Sequence, residues 1–132
     1  MYLLDSNILL ELLLDQKKAD DVQRLLLSVA PRNMYLTEFS LYSIGIILIR
    51  EKKHAVFVSI VEDLIENASI NLLRLLPDDM RQLADHAEHF NLDFDDAYQY
   101  TAAERYGLTI VSFDSDFDRT TRGRREPAEI AS

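Results

Sequence analysis

Short apolar runs alternate with longer stretches of helical periodicity along the whole chain. The apolar runs are continuous rather than alternating, which is typical of strands that helices cover on both faces. They predict four strands, at 1–4, 34–36, 70–76 and 108–113. The stretches between them predict helices at 8–14, 18–29, 39–52, 54–67, 79–90 and 95–106.

This order of elements predicts the fold class. Strand–helix alternation is typical of an α/β three-layer sandwich, here with a mostly parallel central sheet of four to five strands flanked by helices. The segment 124–130 is the candidate for a fifth strand at an edge, although Pro127 weakens that prediction. With 132 residues and no linker or repeat, the chain is expected to form a single domain over 1–132.

No secretory signal or membrane span is predicted. The apolar run at 1–4 has no basic leader before it, and no stretch approaches the roughly 18 apolar residues that argue for a span. We therefore expect a cytoplasmic protein without a membrane partner.

Composition removes several classes of site. The chain has no cysteine, which excludes thiolate zinc sites and cysteine nucleophiles. Its three glycines, Gly45, Gly107 and Gly123, cannot form a P-loop or a dinucleotide-binding motif. A net charge of −9 disfavours a protein that binds nucleic acid through excess positive charge, but it is compatible with an enzyme whose cations are metals.

Acidic residues follow predicted strands at the point where each strand ends. Because the functional crevice of an open α/β sheet lies outside the carboxyl ends of its strands, these side chains are expected to share one edge. A further acidic pair opens the helix before the last strand. The full set is Asp5, Glu38, Asp95, Asp96, Asp114 and Asp116.

Each of these residues also has a purely structural interpretation. Asp5 suits a helix N-cap, and Asp95 and Asp96 suit the positive end of a helix dipole. Carboxylates that converge without lysine or arginine partners, however, repel one another and raise their pKa values. A divalent cation relieves that repulsion, and oxygen ligands favour Mg²⁺ or Mn²⁺. An EF-hand calcium loop starting at Asp114 is excluded, because Arg119 stands at its sixth position.

Three motifs resemble those of a known family. They are L-L-D-S-N-I-L-L at 3–10, D-D-A-Y-Q-Y-T-A-A-E at 95–104 and L-T-I-V-S-F-D-S-D-F at 108–117. Together they are similar to the successive motifs of PIN domains, and the element order resembles the small ribonucleases typified by VapC-type toxins. The resemblance implies Mg²⁺- or Mn²⁺-dependent cleavage of RNA by the toxin of a toxin–antitoxin pair, leaving 5′-phosphate and 3′-hydroxyl ends.

The same resemblance implies a role for each matching residue. The positions of the catalytic and metal-binding acids are taken by Asp5, Asp96, Asp114 and Asp116. Asp95 and Glu38 are additional candidate metal ligands. The residues expected to support the acids are Ser6, Asn7 and Ser112.

One position departs from the family pattern. The family carries a glutamate about six residues after the position of Thr37, and here that residue is Ser43. Glu38 stands nearer the strand end, about 140° away around the helix, and cannot simply mimic an acid at position 43. An alternative function is therefore a catalytically weakened PIN-fold module that binds RNA or a protein partner without cleavage.

Two other phosphoryl-transfer classes fit the residues poorly. A phosphatase of the haloacid dehalogenase type needs D-x-D after the first strand, where Asn7 takes the place of the second acid. That class and response-regulator receivers also use a lysine in the later half of the domain, whereas the last lysine here is Lys53.

Candidate interaction surfaces lie in three places. Arginines that are expected either to hold RNA phosphates or to form a solvated basic tail are Arg119, Arg122, Arg124 and Arg125. The helix at 55–65 is apolar on more than one face, which indicates a partner surface, and the resemblance favours a homodimer or an antitoxin as the partner. A stripe with helical spacing is predicted to face the core and consists of Phe39, Tyr42, Ile46 and Ile49.

Overall fold

Within residues 1–131, four short strands form one parallel sheet at the centre of the molecule. The computed structural model of the chain describes residues 1–131. The strands are β1 (Tyr2–Leu4), β2 (Met34–Thr37), β3 (Asn71–Leu73) and β4 (Thr109–Val111), in the order β3-β2-β1-β4. Tyr2 lies opposite Met34 on one side of β1 and opposite Thr109 on the other. The predicted parallel sheet is confirmed, with four strands.

Helices cover both faces of this sheet, which confirms the predicted three-layer arrangement. They are α1 (Ser6–Leu13), α2 (Ala19–Ser28), α3 (Glu38–Arg50), α4 (His54–Ile60), α5 (Met80–Phe90), α6 (Phe94–Tyr106) and α7 (Pro127–Ile130). Successive strand residues point to opposite faces, so Leu3 packs in a core with α5 and α6, and Leu4 packs in a core with α1, α2 and α3. Within residues 1–131, no helix combines the length and apolar character needed to cross a membrane.

The predicted helix at 54–67 changes its winding half-way. α4 continues without a break into a π-helical turn over Val61–Asn67, and after it the Ala68 N–H donates to the Asp63 carbonyl at 3.0 Å. With this wider turn, Leu64 and Ile65 both pack against the α1–α3 core.

The predicted strand at 70–76 ends at Leu73, because side chains take the backbone donors beyond it. The Leu75 N–H donates to the Tyr98 hydroxyl at 2.8 Å, and the Leu76 N–H donates to the Asp79 carboxylate at 2.7 Å. These donors are then not available to extend the strand.

The prediction of a fifth strand at 124–130 is wrong. Arg125 forms one parallel bridge with Val111, and Pro127 then begins α7 at a position where its missing N–H is not needed. The Glu126 N–H donates to the Glu129 carboxylate at 2.9 Å, which closes the first turn of the helix. The bridge therefore covers part of the β4 edge without adding a strand.

The predicted burial of α3 is wrong for one of its two apolar stripes. Tyr42 and Ile46 are 60% and 59% exposed, and Ile49 is 47% exposed. The stripe that faces the α1–α3 core instead contains Ile44 and Leu48, which are fully buried. We refer to Tyr42, Ile46 and Ile49 as the exposed α3 stripe.

The other members of the predicted apolar surfaces divide between core and solvent. Phe39 stacks on Tyr98 with 5.1 Å between the ring centroids. On α4, Ile60 is buried and Phe57 is half-buried, whereas Val58 is 52% exposed. Of these two helices, α3 therefore exposes more large apolar side chains than the helix at 55–65.

Helices α3 and α4 approach closely at Gly45. A Cβ atom at this position would lie 3.0 Å from Cζ of the Phe57 ring, which is tighter than ordinary van der Waals contact. The missing side chain of Gly45 is therefore what allows the Phe57 ring to pack against the α3 backbone.

We expect Gly45→Val to lower the free energy of unfolding by about 2 kcal/mol, because the added methyl groups overpack the contact with Phe57. Urea denaturation followed by circular dichroism measures the change. The double variant Gly45→Val/Phe57→Leu should recover part of the lost stability, since leucine is smaller than the Phe57 ring and leaves room for the valine. An unchanged denaturation midpoint in the single variant would contradict a tight contact.

Candidate metal centre

The carboxyl ends of three strands lie at one edge of the sheet. Asp5 follows β1 and caps α1, and its backbone N–H donates to the Val111 carbonyl of β4 at 2.9 Å. Thr37 ends β2 and caps α3, with its hydroxyl accepting from the N–H of Ser40 at 3.0 Å. The parallel topology thus brings residues far apart in sequence to a common edge.

Three carboxylates gather at this edge. Asp96, in the first turn of α6, and Asp114 and Asp116, which follow β4, each offer one oxygen, and these oxygens lie within 4.8 Å of one another. The Asp116 N–H donates to the Asp114 carboxylate at 2.9 Å, and the Asp114 N–H donates to the Ser112 hydroxyl, also at 2.9 Å. We refer to these three acids as the three-carboxylate group.

Burial and the neighbouring carboxylates favour the protonated form of Asp96. Burial, a hydrogen bond with the Asp114 carboxyl group and the charges of Asp114, Asp5 and Asp116 together raise the pKa of Asp96 to about 8, and burial is the largest cause. The proton relieves the repulsion between the two carboxyl groups. A divalent cation would relieve the same repulsion, and a donor set of carboxylate oxygens fits Mg²⁺ or Mn²⁺ better than a softer metal.

Asp5 lies close to this group, and its buried carboxylate accepts several hydrogen bonds. Its Oδ1 accepts from the N–H of Ser6 at 2.8 Å, and its Oδ2 accepts from the Ser112 hydroxyl at 2.7 Å. Burial raises the pKa of Asp5, and these two hydrogen bonds act in the opposite direction. Asp5 is not one of the three acids within 4.8 Å, although its charge contributes to the raised pKa of Asp96.

Asn7 ties the turn after β1 to the turn after β4. Its Nδ2 donates to the Ser112 hydroxyl at 3.1 Å and to Asp5 Oδ2 at 3.4 Å, while its Oδ1 accepts from the Phe113 N–H at 3.2 Å. Asn7 and Ser112, which are both predicted supporting residues, contact the Asp5 carboxylate. Ser6 contacts Asp5 through its backbone N–H.

The remaining acidic candidates lie outside the three-carboxylate group. Glu38 lines a cavity of about 530 Å³ together with Tyr35, Leu73 and Arg74, on the side of β2 and β3. Asp95 is exposed, and it acts on the site through its charge, which raises the pKa of Asp5.

A sequence model of the PIN domain matches residues 2–123 of the chain. The chain belongs to the PIN domain family. No curated protein matches its sequence significantly.

Solved structures of other proteins share this fold. FitAcB from Neisseria gonorrhoeae is 20% identical, with a TM-score of 0.74 over 96% of this PIN domain and 98% of that chain. VapC20 from Mycobacterium tuberculosis, described as a sarcin-ricin loop cleaving toxin, is 17% identical, with a TM-score of 0.77 over 89% of this PIN domain and 93% of that chain. A chain of a toxin–antitoxin complex from Klebsiella pneumoniae is 15% identical, with a TM-score of 0.74 over 96% of this PIN domain and 98% of that chain. At these identities the similarity shows the fold.

The four arginines after the acidic region are tied into the PIN domain itself. Arg119 donates to the Asp116 carboxylate at 2.9 Å and to the Asn91 carbonyl at 2.6 Å. Arg124, whose side chain is 14% exposed, donates to both oxygens of Asp118 at 3.1 and 3.2 Å. The other two donate to backbone carbonyls, Arg122 to Leu108 and Arg125 to Glu129. An RNA phosphate would therefore have to use donors that these bonds leave free.

Two buried polar residues beside Asp5 were not identified from the sequence. The Thr37 hydroxyl donates to Gln99 Oε1 at 2.8 Å, and Gln99 Nε2 faces Asp5 Oδ1 at 3.5 Å. The one available signal was the position of Gln99, a polar residue three positions after Asp96 in a stretch otherwise rich in apolar and small residues.

We expect Asp96→Asn to raise the melting temperature of the metal-free PIN domain at pH 8 by about 3–6 °C, equivalent to about 1 kcal/mol at this chain length. The raised pKa of Asp96 means that the folded state binds its proton more tightly than the unfolded state. The resulting stability is complete below about pH 4 and is lost as the pH rises through about 8. Asparagine does not titrate, so the melting temperature of the variant should vary less with pH than that of the wild-type protein.

Thermal denaturation in the presence of a chelator between pH 5 and 9 measures both effects. Asp95→Asn is the matched control, because it makes the same substitution at the exposed neighbouring residue. Equal gains in the two variants would mean that net charge, rather than the buried pair, sets the stability.

Proposed function

We propose that the protein is a Mg²⁺- or Mn²⁺-dependent ribonuclease that hydrolyses RNA phosphodiester bonds, and that it is the toxin of a toxin–antitoxin pair. The observation that carries the activity is the three-carboxylate group beside Asp5 at the carboxyl edge of a parallel sheet. Membership of the PIN domain family and the similarity in fold to solved toxins support the substrate class and the toxin role.

The residues at this edge divide the work between them. Asp96, Asp114 and Asp116 would hold the cation together with Asp5, which lies beside them. Asp96 must lose its proton before its oxygen can serve as a ligand. The chemistry that a bound cation supplies is activation of water as the nucleophile and neutralisation of charge on the reacting phosphate. Arg119, already at Asp116, is the guanidinium group best placed to contact a phosphate at this edge.

A module that binds without cleaving is the second candidate function. Ser43 occupies the position of the family glutamate, and Glu38 lines the neighbouring cavity instead of joining the three-carboxylate group. Both observations leave the site with fewer acids than the family pattern provides.

We expect the purified protein to cleave members of a panel of structured and single-stranded RNAs with Mg²⁺ or Mn²⁺, and not with chelator. Asp5→Asn, Asp96→Asn and Asp114→Asn should each lower the rate by at least about 100-fold, because loss of a ligand exceeds the effect of losing a residue that only orients one. Gel electrophoresis with end-group analysis measures the rate and should detect 5′-phosphate products.

Asp63→Asn, on the exposed π-helical turn, is the control for loss of one negative charge and should cleave normally. Absence of cleavage with either metal, by folded protein free of a co-purified inhibitor, would favour the binding module. Ser43→Glu then becomes the decisive variant, since recovery of cleavage would identify the missing acid as the cause.

We also propose that the partner of the exposed α3 stripe is a second copy of the chain. Three large apolar side chains on adjacent turns of one helix form a contiguous exposed patch, and such patches mark interaction sites. The toxin–antitoxin complex among the similar structures supports an antitoxin as a further partner.

We expect the protein to be dimeric in solution and Ile46→Lys to weaken the dimer by at least about 10-fold, because it buries an unpaired charge in the contact. Light scattering coupled to size-exclusion chromatography over a range of concentrations measures the dissociation. Leu27→Lys, at a residue on α2 that is 81% exposed, is the matched control. A monomeric wild-type protein, or equal weakening by both variants, would contradict an α3 interface.

A further inference from the structure

A buried glutamine connects the candidate metal centre to the neighbouring strand. Gln99 is 2% exposed and lies three residues after Asp96 on α6, so the two side chains share one side of the helix. Its Oε1 accepts from the hydroxyl of Thr37, which is itself fully buried, at 2.8 Å. Its Nε2 donates to Asp5 Oδ1 across a longer distance of 3.5 Å.

Hydrogen-bond chemistry dictates which way this amide faces. Asp5 Oδ1 already accepts from the N–H of Ser6, so the NH₂ group of Gln99, which donates, is the end of the amide that points towards it. The carbonyl of the amide is then left to Thr37, whose hydroxyl oxygen is fixed by the N–H of Ser40 at 3.0 Å. The four groups therefore form a chain with one consistent donor direction, from the start of α3 to the Asp5 carboxylate.

The donors to Asp5 come from three different parts of the fold. Ser6 and Asn7 belong to the chain after β1, and Ser112 belongs to the chain after β4. Gln99 differs from them, because it is on the helix that carries Asp96. A contact from this helix to Asp5 limits how far the two carboxyl groups can move apart.

We propose that Gln99 is a positioning residue that, oriented by Thr37, fixes the separation of Asp5 and Asp96 so that both carboxylates can bind the same divalent cation. This inference rests on the proposed function, since it concerns the same site. Asp5 lies outside the three-carboxylate group, and a residue that holds it near Asp96 reduces the ordering that cation binding requires. Gln99 itself does not contact the cation.

Four variants test this role. Gln99→Met keeps the length of the side chain and removes its polar atoms, and Thr37→Val removes the hydroxyl that orients the amide and also caps α3. Thr37→Ser restores that hydroxyl. Thr101→Val is the matched control, because Thr101 is a buried threonine on α6 whose hydroxyl bonds to Ala97 and His86 rather than to the acidic edge.

Two measurements separate positioning from a general structural role. Electron paramagnetic resonance of free Mn²⁺ gives the affinity of each full-length variant without RNA. Cleavage as a function of Mg²⁺ concentration gives the half-maximal concentration separately from the rate at saturation.

We expect Gln99→Met to weaken Mn²⁺ binding by about 10-fold and to raise the half-maximal Mg²⁺ concentration by a similar factor, as for other residues that orient metal ligands. The rate at saturating Mg²⁺ should change by less than about threefold, because excess cation compensates for the lost positioning. Thr37→Val should change affinity in the same direction, and Thr37→Ser should not. The double variant Gln99→Met/Thr37→Val should bind Mn²⁺ no more weakly than Gln99→Met alone, since both substitutions act through one contact.

Wild-type affinity in folded Gln99→Met would overturn the proposal, as would an equal loss in Thr101→Val. If Gln99→Met does not fold, the contrast between Thr37→Val and Thr37→Ser decides, and equal affinities would overturn the proposal. A wild-type protein that neither binds Mn²⁺ nor cleaves RNA contradicts the proposed function itself, whereas a wild-type protein that does both leaves only the role of Gln99 to be decided by the variants.

Discussion

The pairing of β1 with β4 is the contact on which the rest of the structure depends. β1 lies between β2 and β4, and its consecutive leucines, Leu3 and Leu4, supply one side chain to each of the two cores. The pairing continues past the end of the strand, where the Asp5 N–H donates to the Val111 carbonyl. A strand of three residues therefore orders the helices on both faces and also holds the first acid beside the loop that carries two others.

Repulsion between the carboxylates at this edge lowers the stability of the metal-free fold, and three features of the structure reduce it. Burial and its neighbours raise the pKa of Asp96, which favours the neutral form of its carboxyl group. Asp5 is stabilised by hydrogen bonds from backbone and side-chain donors. Asp116 is paired with the guanidinium group of Arg119. Natural proteins retain only about 5–15 kcal/mol of net stability, so a site of this kind is tolerated only with such compensation.

Most of the fold could be predicted from the sequence, since continuous apolar runs show that both faces of a strand are covered and parallel strands bring their following residues to one edge. The orientation of α3 could not, because this helix has two apolar stripes. Periodicity detects both, but it does not tell whether Ile44 and Leu48 or Tyr42 and Ile46 face the sheet. The bond between Gln99 and Thr37 was equally inaccessible, because it joins residues 62 positions apart and exists only once α6 has packed beside β2.

The edges of the sheet limit how copies of this protein can meet. At one edge, β3 is only three residues long. At the other edge, Arg125 covers β4: its N–H donates to the Ile110 carbonyl, and its carbonyl accepts from the Ser112 N–H. Long, unpaired edges are the templates on which β-sheets of separate molecules join into aggregates, and short or covered edges prevent this. The short edge at β3 and the covered edge at β4 therefore oppose open-ended growth of the folded chain by strand addition.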